Sequence, residues 1–239
     1  TGGKGNHVRF ERVESHHCMD NGISHHGSNV EVYDSHFHDN AGCGIVDVYA
    51  DVRVKYVRCL IEDDTYRGGV ELLNGHFEMT DCIIRNNASK PMLIGRGARV
   101  RLTNCVIIGR SDQTGAAVTL GDGSALTAER CTFWRAPIAI RMRVSPRDAN
   151  AARLALENCA LLAGDTALFW QVNENPKRPE LKLGRLLVPA DVQREFGQTY
   201  SGKGSWQQVD EPLGDWSKTV ANPLDLRTAP YRPPGGTDI

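Results

Sequence analysis

Between Val54 and Cys159 the chain repeats one short pattern of alternating apolar and polar residues five times. VKYVRC ends at Cys59, FEMTDC at Cys82, VRLTNC at Cys105, LTAERC at Cys131 and LALENC at Cys159. VEVYDS, ending at Ser35, is a weaker copy upstream, and the five full copies recur every 23 to 28 residues. Period-2 alternation marks strands, and a fixed period of this length marks a repeat architecture.

A second strand follows each copy, introduced by a small residue: GIVDV from Gly44, GVELL from Gly69, PMLIG from Pro91, AVTLG from Ala117, PIAIR from Pro137 and ALFWQ from Ala167. No repeat has room for a crossover helix as well, which excludes a doubly wound sheet. The pattern predicts an all-β solenoid of about seven coils over residues 1–175, a right-handed parallel β-helix whose like strands stack in register. Stacked rungs lie roughly 4.8 Å apart, so the recurring Cys becomes an interior ladder of small apolar side chains. Seven cysteines is an odd number. Reduced thiols in the ladder are the preferred reading, with disulfides as the rival.

The residue before each ladder position is Asp34, Arg58, Asp81, Asn104, Arg130 or Asn158, at a turn that needs a left-handed backbone. Here the chain resembles the pectate-lyase-like superfamily and the carbohydrate-binding and sugar-hydrolysing repeat family, whose β-helices carry an Asn ladder at this turn. NAGCGIVDV (40–48) and NNASKPMLIGRG (86–97) are similar to two segments of the lyases. The resemblance implies an extracytoplasmic or secreted protein that meets polysaccharide. It departs from the lyases where their WIDH phrase is absent and where their R-x-P-x-x-R appears one residue too long, from Arg135 to Arg141.

Composition narrows the partners. A net charge of −1 gives no overall field for nucleic acid or an anionic membrane. No apolar run approaches the roughly 20 residues of a membrane-spanning helix. The opening TGGKGNH has neither Met nor a signal-like core, and the expectation is a piece of a longer chain.

Candidate chemistry gathers on the second strands. Counting Val46, Val70, Met92, Val118 and Ile138 as inward puts Asp47, Glu71, Leu93, Thr119 and Ala139 on the outer face, with His25 one rung before Asp47. Two carboxylates on adjacent rungs share a proton or recruit a cation, and an oxygen-only pair suits calcium. In the resembled families this sheet and its entering loops form the substrate groove. The resemblance therefore implies Asp47, Glu71, Lys90 and Arg67 as catalytic candidates, with Lys90 or Arg67 as a lyase base or the carboxylates as a hydrolase pair. It implies His25, Tyr49, Asp64, Tyr66 and Arg141 as substrate-binding, and Asp47 with Glu71 as a possible calcium site. No other cofactor is implied.

Two functions stay open. One is a carbohydrate-interacting module that binds polysaccharide or degrades it as a lyase or glycoside hydrolase; the other is a non-catalytic spacer or adhesion module of a larger protein. Seven of the eight histidines fall between His7 and His38. They read as surface and turn residues, as a metal site, or as substrate-facing groups. Residues 176–239 are expected to be a capping tail, with a short helix over PADVQREFG (189–197) and the Trp206 to Trp216 segment covering the open end.

Overall fold

The computed structural model describes residues 6–48, 53–110, 115–121, 123–144, 150–173, 177–201 and 204–221. Each repeat folds into three short strands, and like strands pair in parallel into three long sheets. Sheet A runs from His7–Glu11 through Asn29–Tyr33, Arg53–Val57, His76–Thr80, Arg99–Thr103, Ala125–Glu129 and Arg153–Glu157 to Glu180–Leu183. Sheet B begins Glu14–His16, His36–His38, Leu60–Glu62, Ile83–Arg85 and Val106–Ile108, and ends at Thr219–Val220. Sheet C carries Ile23–His26, Cys43–Val48, Gly68–Leu73, Met92–Gly95, Ala116–Leu120, Ile138–Val144 and Thr166–Val172, then Gln193–Tyr200 and Trp206–Val209. The chain is a parallel β-solenoid.

Alternation along each strand sends one set of side chains inward. Val32, Tyr56, Met79 and Leu102 line sheet A; Phe37, Ile61, Ile84, Ile107 and Phe133 line sheet B; Ile45, Val70, Met92, Val118 and Ile140 line sheet C, all buried. Each such aliphatic or aromatic side chain contributes about 1.5–3 kcal/mol by leaving water, so the core is one continuous column.

The left-handed turn between sheets A and B forms as expected. Arg12, Asp34, Arg58, Asp81, Asn104, Arg130 and Asn158 all have φ between 50° and 55°. Neighbouring turns bind one another at the surface: Asn104 Nδ2 donates to Asp81 Oδ1 (2.5 Å), and Arg58 pairs with Asp34 through Nε and Nη2. Just inside this turn, Cys59, Cys82, Cys105, Cys131 and Cys159 stack as free, buried thiols. Burial pushes the Cys105 and Cys159 thiols well above their ordinary range.

A second polar ladder lies in the turn between sheets B and C, and it is fully buried. Asn40 donates from its backbone N (3.0 Å) and from Nδ2 (2.9 Å) to Asp64 Oδ1, and Asp64 N donates to Asn87 Oδ1 (3.0 Å). Gly44 makes room for it, since a Cβ there would meet Asp64 Oδ2 at 2.5 Å. This buried ladder of Asn and Asp lies one turn after the left-handed turn where the resembled families carry theirs.

The coil also continues past residue 175. Glu180–Leu183, Leu186–Leu187 and Gln193–Tyr200 extend all three sheets. The helix expected over residues 189–197 is replaced by strand Gln193–Tyr200, because its residues stack on the rung below: Phe196 lies on Phe169 (5.6 Å) and Gly197 on Trp170. A Cβ at residue 197 would collide with the Trp170 indole. Trp206–Val209 then turns antiparallel against Gly197–Tyr200, and Leu213 and Trp216 pack on the core.

Candidate functional site

Register decides which residues the outer face of sheet C presents. With Gly44 and Gly69 side by side, Ile45 pairs with Val70, Val46 with Glu71 and Asp47 with Leu72. The acid is fourth in GIVDV but third in GVELL, and that single residue sends the two carboxylates to opposite faces. Glu71 points out. Asp47 points into the core at 0% exposure, which corrects its expected place beside Glu71 and removes the paired-carboxylate calcium and catalytic arrangement.

Inside the coil Asp47 has its own partners. The Tyr56 hydroxyl donates to Asp47 Oδ2 (2.7 Å), and His25 Nδ1 contacts Oδ1 from the preceding rung. His25 therefore lies in the interior with Asp47, stacked under Phe10 (6.2 Å), and not in a substrate groove. Asp64 is likewise interior, a member of the buried ladder. Burial raises its pKa to about 6 against the opposing effect of the Asn40 donors. Tyr49 lies outside the described residues.

The remaining candidates do come together. Tyr66, Arg67, Glu71 and Lys90 line one pocket of about 330 Å³, with Cys43, Val70, Ser89 and Leu93 completing its walls. Tyr66 is 75% exposed, so its ring is free to meet a ligand. Burial, aided by the Glu71 charge, pushes the Cys43 thiol up to about 12, leaving it protonated and without nucleophilic character at neutral pH. The pocket holds two cations, one carboxylate and one exposed aromatic ring.

From this pocket the outer column runs Glu71, Leu93, Thr119, Arg141, Phe169 and Phe196, one residue per turn. At roughly 4.8 Å per rung it spans about 24 Å. Arg141, and not Ala139, follows Thr119, because Val118 pairs with Ile140. Its guanidinium packs over the Phe169 ring (5.4 Å), and Phe169 stacks on Phe196 (5.6 Å). The sequence reading missed Phe169 and Phe196. Carrying the register through the ALFWQ and REFGQ segments would have found them.

The face lines up charged and aromatic side chains along an extended column. Glycosidase chemistry needs two carboxyl groups about 5 to 9.5 Å apart. Val46 and Leu93 flank Glu71 in its column, so that partner is missing there.

The chain matches the family described as right-handed β-helix region over residues 2–133, more than half of its length. No curated protein and no solved structure matches it. With three parallel sheets stacked rung upon rung and this match, the chain belongs to the right-handed β-helix family.

Proposed function

We propose that the protein is a carbohydrate-recognition module that binds an extended acidic glycan along the outer face of sheet C without cleaving it. The observation that carries this reading is the continuous strip from the Tyr66, Arg67, Glu71 and Lys90 pocket to Arg141, Phe169 and Phe196. Arg67, Lys90 and Arg141 supply donors for carboxylate or sulfate groups, and Arg offers them as a planar fork. The exposed Tyr66 ring supplies an apolar face for a sugar ring, and the stacked Phe169 and Phe196 rings add apolar edges farther along. Asp47 takes no part, since it lies in the core. An extracytoplasmic location goes with such a ligand and belongs to the same proposal.

Affinity electrophoresis against neutral and acidic polysaccharides, with parallel assays for new reducing ends and unsaturated products, tests it. Retardation by acidic polymers without product is the expected result. Product formation would make the protein an enzyme, with Lys90 as the base to examine first. Absence of retardation by every polymer would favour the spacer reading.

A further inference from the structure

On a different face, the outer side of sheet B, the two N-terminal rungs bring histidines and a carboxylate together. Glu14 pairs with His36 and His16 with His38 in register, and alternation points all four away from the core. Glu14 Oε1 lies 3.1 Å from His38 Nε2 and 4.0 Å from His36 Nδ1. The ligand atoms of the three residues all fall within 4.8 Å of one another. A tetrahedral zinc ion holds its ligands at about 2.0–2.2 Å, which separates them by about 3.3 Å, so rotation of the stacked His36 and His38 rings about their side-chain bonds brings all three onto one ion.

The second nitrogen of each histidine is also accounted for. His36 Nε2 faces Glu62 Oε1 (2.9 Å), and His38 Nδ1 faces Asp39 Oδ2 (2.7 Å). Glu62 is itself held by Arg85 Nε (2.6 Å). Carboxylates behind ligating histidines fix the tautomer and ring direction and raise ligand basicity. The rings of His36 and His38 are stacked (4.0 Å), and His16 stacks on His38 (5.0 Å) with its Nδ1 at 2.6 Å from His17 Nδ1. His38 Nε2 thus meets Glu14 Oε1 at hydrogen-bond distance, and His36 Nδ1 lies 4.0 Å from the same oxygen.

We propose that Glu14, His36 and His38 form a site for one divalent transition ion of the zinc class, with Asp39 and Glu62 as the groups that orient the two imidazoles. Two histidines and one carboxylate leave at least one coordination position for water or for a ligand from outside. The site is on the surface, so it needs no opening of the fold.

The test is zinc titration by calorimetry on untagged, chelator-treated protein at pH 7.5. One equivalent of zinc should bind at micromolar affinity or tighter. His38→Gln or Glu14→Gln should weaken it by at least about 10-fold, and Asp39→Asn, which leaves all three ligands in place, by about 10–100-fold. His76→Gln, an exposed histidine on sheet A, should leave binding unchanged, with circular dichroism verifying that each variant is folded. Absence of stoichiometric binding, or His38→Gln and Asp39→Asn that bind as tightly as the native protein, would overturn the proposal.

Discussion

His25 and Asp47 face each other inside the coil on adjacent rungs, and Tyr56 closes the contact from sheet A with a 2.7 Å hydrogen bond. This polar group occupies positions that later rungs fill with Leu72, Ile94 and Leu120. Removing Asp47 leaves two buried donors without an acceptor. Asp47→Ala should destabilise the protein by about 3–5 kcal/mol, and Asp47→Asn, which keeps one acceptor, by less. Urea denaturation measures this, and an Asp47→Ala variant of unchanged stability would show that the carboxylate is solvated.

Asp64 predicts a pH dependence. Its folded-state pKa, about 6, stands above the ordinary 3.8, so the native state holds the proton more tightly than the unfolded chain does. Stability from this group is full at and below the ordinary value and falls as pH rises through about 6. Asp64→Asn keeps the oxygen that accepts from Asn40 and removes the charge. It should flatten the decline and stabilise the protein at pH 7 by about 1–2 kcal/mol, allowing for solvent screening. Denaturation curves between pH 4 and 8 measure it; a variant less stable at pH 7 would contradict the assignment.

Glu195 ties the last turn to its cover. It accepts from Trp170 Nε1 (2.9 Å), Trp216 Nε1 (2.9 Å) and the Leu213 backbone N (2.7 Å). Glu195→Ala should cost about 2–4 kcal/mol and expose the end of the coil, seen as a lower unfolding midpoint and concentration-dependent association. Unchanged midpoint and monodispersity would show that the cover holds by apolar packing alone.

Cys82 tests the thiol ladder. Its Sγ lies 3.3 Å from the Thr80 carbonyl, and Ser35, in the corresponding position two rungs earlier, donates from Oγ to the Tyr33 carbonyl at 2.7 Å. A serine at position 82 therefore has an acceptor. Cys82→Ser should cost only about 1 kcal/mol, whereas Cys82→Leu should overpack the turn and cost about 1–3 kcal/mol. Thermal unfolding of the two variants checks the order.

The architecture was legible in the sequence because each rung repeats a full pattern of apolar alternation, a left-handed turn residue and a buried small side chain, Ser35 in the first rung and Cys in the five that follow. Six rungs from Ser35 to Cys159 reinforce the same answer. The site was less legible. Its facing depends on register, and a one-residue offset between GIVDV and GVELL exchanges inside for outside, as Asp47 shows. The pocket residues Tyr66, Arg67 and Lys90 were found because they enter the same sheet as Glu71. Phe169 and Phe196 escaped because the repeat loosens after Arg143, and REFG resembles the end of a helix until Gly197 meets Trp170. The Asn40, Asp64 and Asn87 ladder was hidden in segments of unlike sequence, where only the closed coil shows that the three residues stack.

The most direct measurement of the account is calorimetric titration of native protein, the double variant Arg67→Ala with Lys90→Ala, and Asp47→Asn, using an acidic polysaccharide that retards the native protein. Native protein and folded Asp47→Asn should bind alike, the double variant should bind at least about 10-fold more weakly, and no sample should release product. Equal binding by the double variant, loss of binding in folded Asp47→Asn, or steady appearance of reducing ends would contradict a non-catalytic strip on the outer face of sheet C.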